Sequence, residues 1–171
     1  MFGAAGSTSH FKPAQSLYIF ILLPARMAER TFIMIKPDHV GLADTILTEL
    51  DALARRVMTV RVESVPLQVV EEHYAVHMGR PFFGYMTASF AGRPVVLAVY
   101  EGDDVINTLR AAIGPTDPAQ APPDTIRGKY GRDSLESAIA EGRPCSNVIH
   151  RSDSPGEAER EISVWRQYFD I

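Results

Sequence analysis

Two short apolar runs limit the folds open to this chain: RTFIMIK at 30–36 and PVVLAVY at 94–100. Neither alternates apolar with polar side chains, which is typical of strands buried on both faces. Each is followed by a helix pattern and then by another strand pattern, at 58–62 and 146–150. The chain therefore carries two βαβ units. We predict an α+β fold, a ferredoxin-like sandwich whose antiparallel four-stranded sheet (βαββαβ) has helices packed on one face.

Helical periodicity fills the segments between these strands. Residues 44–56 repeat apolar side chains along one helical face, and residues 103–114 open with two acids and stop at a glycine. Residues 67–78 and 133–142 also have helical patterns. Near the end of the chain, we expect Ser154 to cap the last helix, because a proline and then a glutamate follow it at the spacing of a capping box.

Composition excludes several classes of protein. The 171 residues suffice for one domain with a core, and 46% hydrophobic and 22% charged residues are typical of a soluble globular protein. A net charge of −4 gives no bulk attraction to nucleic acid. The one cysteine, Cys145, rules out a disulfide within the chain and a cysteine-based zinc site. We expect a cytoplasmic protein with neither a membrane nor a nucleic acid as partner.

The N-terminal segment has a different character. Small and turn-forming residues precede the apolar run LYIFILL, which is far shorter than the ~20 residues of a membrane-spanning helix. A targeting segment is a second interpretation, although Lys12 alone makes a weak positive flank. We expect residues 1–27 to be an upstream extension that is disordered or not part of the native start, and residues 28–171 to form a single domain.

Two histidines four residues apart invite a metal hypothesis. His73 and His77 lie on a predicted helix at the spacing that lets two imidazoles meet one ion. A zinc protease would have glutamate after the first histidine, but Tyr74 is there, and no third ligand is evident. We therefore favour an ordinary packed or solvent-facing helix surface for this pair.

Phosphate chemistry is possible without a glycine-rich loop, since neither G-x-x-x-x-G-K-[ST] nor G-x-G-x-x-G occurs. Lys36 ends a buried strand, Arg110 lies in a predicted helix, and Arg127 lies in the turn IRG. Each alone is more often a solvated surface cation. Together, cations that converge on one pocket could position and stabilise a phosphoryl group.

The octapeptide NVIHRSDS, 147–154, contains a histidine whose role the local sequence leaves open. His150 could be a structural imidazole, a metal ligand, a general base or a nucleophile. Neutral imidazole attacks phosphorus near pH 7 without prior deprotonation. A carboxylate on the following helix could hold the other ring nitrogen, and both Glu157 and Glu161 are candidates.

Five segments in this order resemble nucleoside diphosphate kinase: MAERTFIMIKPD, HYAVHMGRPFF, IGPTDP, TIRG and NVIHRSDS. The similarity runs from about Glu29 to the C-terminus. It implies a ferredoxin-like core that assembles into homo-oligomers, either hexamers or tetramers. It also implies ping-pong transfer of the γ-phosphate of ATP to nucleoside diphosphates through a phosphohistidine, with Mg²⁺ carried by the nucleotide rather than by protein ligands.

The resemblance assigns roles to individual residues. His150 corresponds to the phosphorylated histidine, and Phe82 to the residue that stacks on the base. Three further residues correspond to those that support the histidine: Tyr74, Ser152 and Glu161. The remaining matches are nucleotide-binding and lie on the phosphates or the sugar: Lys36, Arg110, Thr116, Arg127 and Asn147.

The chain also departs from the family pattern. Arg151 follows the histidine, where glycine or another small residue is usual, and could crowd the pocket or add a phosphate contact. Met78 and Gly84 replace a frequent lysine and proline, and an extra helix is expected between Arg127 and Asn147. An inactive or weakly active nucleotide-binding or regulatory module on the same scaffold is the alternative function, although the complete residue set argues against it.

Overall fold

A computed structural model describes Met1 and residues 28–169, so most of the predicted extension lies outside the described residues. Its sheet has four strands: β1 (Glu29–Ile35), β2 (Arg55–Val62), β3 (Val95–Gly102) and β4 (Ile149–Arg151). Their order is β2-β3-β1-β4, and all neighbours are antiparallel. One central strand therefore separates the two strands of each βαβ unit, which confirms the predicted split βαβ arrangement.

The two apolar runs form the central strands, as their composition predicts. Ile33 of β1 lies opposite Ala98 of β3, and Phe32–Ile35 are all fully buried. Every residue from Val95 to Tyr100 is buried as well. A strand that has a neighbour on each edge and apolar side chains on both faces must be covered above and below.

Seven α-helices connect or cover the strands in the described part of the chain: α1 (Ala43–Asp51), α2 (Leu67–His73), α3 (Phe83–Ala88), α4 (Val105–Ile113), α5 (Ile126–Tyr130), α6 (Leu135–Ala140) and α7 (Pro155–Trp165). The predicted helix at 44–56 ends early, because β2 begins at Arg55. The helix predicted at 67–78 also ends early, and a 3₁₀ turn at Ala75–His77 follows it.

The helices cover both faces of the sheet, which corrects the prediction that they pack on one face. Ile33 and Ile35 share a core with α1 and α4, the two crossover helices. Phe32 and Met34 point the other way, into a second core with α2 and α7. The prediction is correct for the crossover helices α1 and α4. Helices α2 and α7 cover the second face, because the apolar side chains of β1 and β3 on that face would otherwise be exposed to water.

The first turn of α7 is fixed by its predicted cap. The Ser154 hydroxyl accepts a hydrogen bond from the Glu157 N–H at 3.2 Å, and Pro155 occupies the first turn, where no N–H is needed. The Glu157 carboxylate accepts from the backbone N–H of Asp153 at 3.3 Å. This cap sets where α7 begins relative to β4.

Replacement of Ser154 by alanine should destabilise the fold by about 1 kcal/mol, because one N–H of the first turn of α7 loses its partner. Urea unfolding followed by circular dichroism measures the change. Ser137→Ala, at an exposed position within α6, is the matched control and should leave the midpoint unchanged. Equal midpoints for the two variants would contradict this account of the α7 start.

Candidate active site

A chain of hydrogen bonds joins the backbone of β1 to His150. The Phe32 N–H donates to the Ser152 hydroxyl at 3.0 Å, and this hydroxyl donates to Glu161 Oε2 at 2.6 Å. Glu161 Oε1 lies 2.9 Å from His150 Nε2. Ser152 and Glu161 are almost fully buried. The carboxylate therefore holds one nitrogen of His150 and leaves Nδ1 as the ring nitrogen able to react.

The surroundings keep the His150 imidazole neutral. Burial, with the nearby charges of Lys36 and Arg127, lowers the pKa of His150 to about 3. Burial also raises the pKa of Glu161. Because Glu161 Oε1 accepts from Nε2–H, the lone pair of His150 lies on Nδ1. A neutral ring with a free lone pair is a nucleophile at neutral pH.

A second histidine, whose role the sequence analysis missed, packs against the first. His73 at the end of α2 is 1% exposed, and its ring meets the His150 ring edge-on with centroids 4.5 Å apart. The Trp165 indole N–H donates to His73 Nδ1 at 3.2 Å. Burial and the nearby His150 lower the pKa of His73 well below its usual value. The sequence places His73 and His77 four residues apart on a predicted helix. Nothing in that spacing indicates that His73 is buried against His150 and not exposed on the surface.

The structure groups His73 with different potential metal ligands from those that the sequence suggested. His73 lies near His150 and Glu161, with ligand atoms within 4.8 Å of one another, whereas His77 is not part of this group. An indole N–H can only donate, so His73 Nδ1 is an acceptor and the proton of the neutral ring lies on Nε2. A protonated nitrogen has no lone pair for an ion, so this tautomer argues against metal binding through His73 Nε2.

Positive charge is concentrated beside His150. The Lys36 ammonium donates to Asn147 Oδ1, and Asn147 Nδ2 donates to the Thr116 carbonyl at 3.0 Å. Burial and the charge of Arg127 lower the pKa of Lys36 to about 8. A bound anion would relieve both effects, because it would pair with the ammonium in a region that water reaches poorly.

Arg127 of α5 lies along the outer edge of β4. Its guanidinium donates to three backbone carbonyls, those of Asn147 at 3.1 Å, Gly114 at 2.9 Å and Ile149 at 2.8 Å. Val148, between two of these, has φ of 71°, a conformation rare for a β-branched residue. Burial and the charge of Arg151 lower the pKa of Arg127 to about 10.

A cleft of about 380 Å³ leads to these groups. Five predicted site residues line it: Lys36, Tyr74, Phe82, Thr116 and Asn147. The Tyr74 ring lies 5.7 Å from the His150 ring, edge-on. The predicted extra helix, which is α6, lines the same cleft through Leu135, Ala138 and Ile139.

Arg110 lies farther out than the other predicted residues. It is exposed on α4 and lies 3.8 Å from the Asp153 carboxylate. With Thr116 and Arg151 it lines a second cavity of about 610 Å³. Thr116 lines both cavities, and six of the ten predicted residues line one cavity or the other. The remaining four are joined to them through the contacts described above: His150, Ser152, Glu161 and Arg127.

Comparison with known proteins agrees with this geometry. The model of a family described as nucleoside diphosphate kinase matches residues 29–171. The chain belongs to the nucleoside diphosphate kinase family. It is 43% identical over 139 residues to a nucleoside diphosphate kinase of Crocosphaera subtropica, covering 80% of this chain and 87% of the relative. An Archaeoglobus fulgidus member of the family is 40% identical, with coverage of 80% and 85%.

Solved structures of the family have the same fold. The Borrelia burgdorferi enzyme with bound vanadate and ADP, a transition-state mimic, gives a TM-score of 0.77 at 26% identity, over 83% of this chain and 90% of its own. The Halobacterium salinarum enzyme in complex with CDP gives 0.72 at 36% identity, over 85% and 90%. Among residues 28–169, no helix has the length and apolar character that crossing a bilayer requires.

Binding of ADP to the free protein should weaken as the pH rises through about 8, because Lys36 loses its charge there. Loss of one charge-assisted contact costs about tenfold in affinity. Isothermal titration calorimetry from pH 7 to 9.5 measures the dissociation constant. Lys36→Arg stays charged over this range, so its curve should be flat. An equally steep rise in that variant would assign the titration to another group.

Proposed function

We propose that this protein transfers the γ-phosphate of ATP to nucleoside diphosphates through a phosphohistidine on His150. The supporting observation is the 2.9 Å contact between His150 Nε2 and the buried Glu161 carboxylate, which leaves the lone pair of the neutral ring on Nδ1. A hydrogen-bonded carboxylate at one ring nitrogen fixes the tautomer and stabilises the positive charge that the ring acquires when the other nitrogen attacks.

Two transfers of opposite direction make up the reaction. In the first, the Nδ1 lone pair of His150 attacks the γ-phosphorus, an N–P bond forms, and the bond to the bridging oxygen breaks to release ADP. In the second, a terminal oxygen of the acceptor diphosphate attacks the same phosphorus and the N–P bond breaks. The acceptor enters the site that the donor left, and the cleft beside α6 is open enough for such exchange.

The cations around His150 have the electrostatic role in this proposal. Lys36 and Arg127 stabilise charge on the moving phosphoryl group, while Arg110 and Thr116 bind the other phosphates. Asn147, which links Lys36 to the Thr116 carbonyl, bonds the sugar near the transferring phosphate. The roles in this paragraph come from the family resemblance, and the contacts that support them come from the structure.

The nucleoside half of the cleft is apolar. Phe82 provides a ring for the base, and Leu135 and Ile139 of α6 line the same cleft. Stacking on an aromatic face does not depend on the base, which suits a kinase that accepts several nucleotides. Tyr74 and Ser152 hold the histidine and its carboxylate in place.

Mg²⁺ enters this proposal with the nucleotide. The cleft lining contains one carboxylate, Asp38, which is paired with Arg93, so the described residues do not form an all-protein magnesium cage. When bound to the phosphates, the ion neutralises part of the charge on the transferring group. A cytoplasmic homo-oligomer, hexamer or tetramer, completes the proposal and rests on the family resemblance alone.

Purified protein incubated with ATP labelled at the γ-phosphate should acquire an acid-labile, alkali-stable label, because phosphate on a histidine nitrogen has that stability. Adding GDP should discharge it. His150→Ala should take up no label, whereas His39→Gln, which removes a histidine outside the hydrogen-bonded chain, should label normally. Label on His150→Ala would place the nucleophile elsewhere, and an unlabelled wild type would favour the regulatory module.

Replacement of Ile139 by serine should raise the KM for ATP about fivefold, because the base loses an apolar contact worth about 1 kcal/mol. The rate at saturating ATP should hardly change, since the proposal places Ile139 at the base and not at the transferring phosphate. Steady-state kinetics separates the two constants. Ala140→Ser, exposed on the same helix but outside the cleft, is the matched control. Unchanged KM in Ile139→Ser would remove α6 from the nucleoside site.

A further inference from the structure

Arg151 is a buried cation whose hydrogen bonds are incompletely filled. It lies in β4 directly after His150, and its side chain is 8% exposed. One guanidinium nitrogen, Nη1, donates to the Asp153 carboxylate. Nε is buried and has no hydrogen-bond partner among residues 28–169. A buried guanidinium with an unfilled donor is destabilising unless a further acceptor reaches it.

The neighbours of Arg151 leave an excess of positive charge. Asp153 lies between two guanidinium groups, bonded to Arg151 and 3.8 Å from Arg110. Arg151 also lies close enough to Arg127 to lower its pKa, after the effect of burial. Arg127 and Arg151 are both buried, and the exposed Arg110 lies near the same carboxylate as Arg151. Two buried guanidinium groups near one partly solvated carboxylate leave a net positive charge, which favours the binding of an anion here.

The cavity beside Arg151 has room for such an anion. It measures about 610 Å³ and is lined by Arg151, Arg110, Thr116 and Thr125, among others. The long side chain has therefore not closed the space at this end of the site. Thr116 also lines the nucleoside cleft, so a chain of phosphates that starts in the cleft can extend toward Arg151.

We propose that Arg151 is a further phosphate-binding residue of this kinase, whose guanidinium donates to a phosphate oxygen in the second cavity while Asp153 holds Nη1. This proposal rests on the proposed function, because the ligand is the polyphosphate of the nucleotide. Of the two effects that an arginine at this position could have, crowding or an added contact, the cavity and the incompletely bonded guanidinium favour the added contact. Family members with a small residue here would lack it.

Inorganic triphosphate serves as a probe of the phosphate end alone. Its inhibition constant and the KM for ATP are measured for the wild type, Arg151→Met and Arg151→Lys, with thermal melting as a check of folding. Arg151→Met should raise both constants about tenfold, since one charge-assisted contact is lost. Arg151→Lys, which keeps the charge without the fork, should lie between the two.

Phe82→Ala is the matched comparison, because Phe82 lines only the nucleoside end. It should raise the KM for ATP and leave the inhibition constant of triphosphate unchanged. A purely structural Arg151 would lower the melting temperature of Arg151→Met without changing either constant, and that result would overturn the proposal. Tighter binding in Arg151→Met would overturn it as well, because it would show that the side chain crowds the site.

The two proposals fail in different ways. A wild type that takes no label from ATP contradicts the kinase reaction. In that case calorimetric binding of inorganic triphosphate to the wild type and to Arg151→Met still decides whether Arg151 binds phosphate. A wild type that labels normally, beside an Arg151→Met variant with unchanged constants, contradicts only the role of Arg151.

Discussion

The buried carboxylate of Glu161 connects the fold to the chemistry. It accepts from Ser152 and contacts His150, and Ser152 is in turn bonded to the backbone of β1. Burying a carboxylate is costly unless both oxygens have partners, so strand β4 and helix α7 are stable together only in the register that supplies them. The same register leaves Nδ1 of His150 available. The contacts that stabilise the fold here therefore also orient the histidine that we propose as the nucleophile.

The cations contribute the second constraint, since they are positioned before any substrate arrives. Arg127 is held by three carbonyls, and Lys36 by Asn147. Burial lowers the pKa of both groups, because their charged forms are disfavoured away from water. A bound polyphosphate would offset this electrostatic cost. Groups that need not reorganise during the reaction stabilise a transition state more effectively than mobile ones.

Much of the fold could be predicted from local pattern. The two apolar runs predicted the central strands, and Ser154 predicted the start of the last helix. The coverage of both faces was harder to predict, because it depends on where α2 and α7 pack after the chain returns. His73 was missed for a similar reason. Its contacts with Trp165 and His150 join residues far apart in sequence, and no spacing in the chain encodes them.

The site residues were predictable from ordered motifs, but their connections were not. Asn147 is proposed to bond the sugar, and its amide also bonds to Lys36 and to the Thr116 carbonyl, two contacts that no motif encodes. Arg151 was noticed only as a departure from the family pattern. Whether a long side chain blocks a pocket or lines it depends on where neighbouring helices leave space, which the sequence does not state.

The strand that carries His150 is also a border of the sheet. Among the strands that the structure describes, β4 pairs with β1 alone, so its outer side would present free carbonyls to other chains. Exposed strand edges are where proteins join in unwanted sheets. Arg127 occupies the carbonyls of Asn147 and Ile149 on this side. The arginine proposed to stabilise a phosphoryl group thus also prevents strand addition, and the reactive strand can remain short and open to substrate without becoming a point of aggregation.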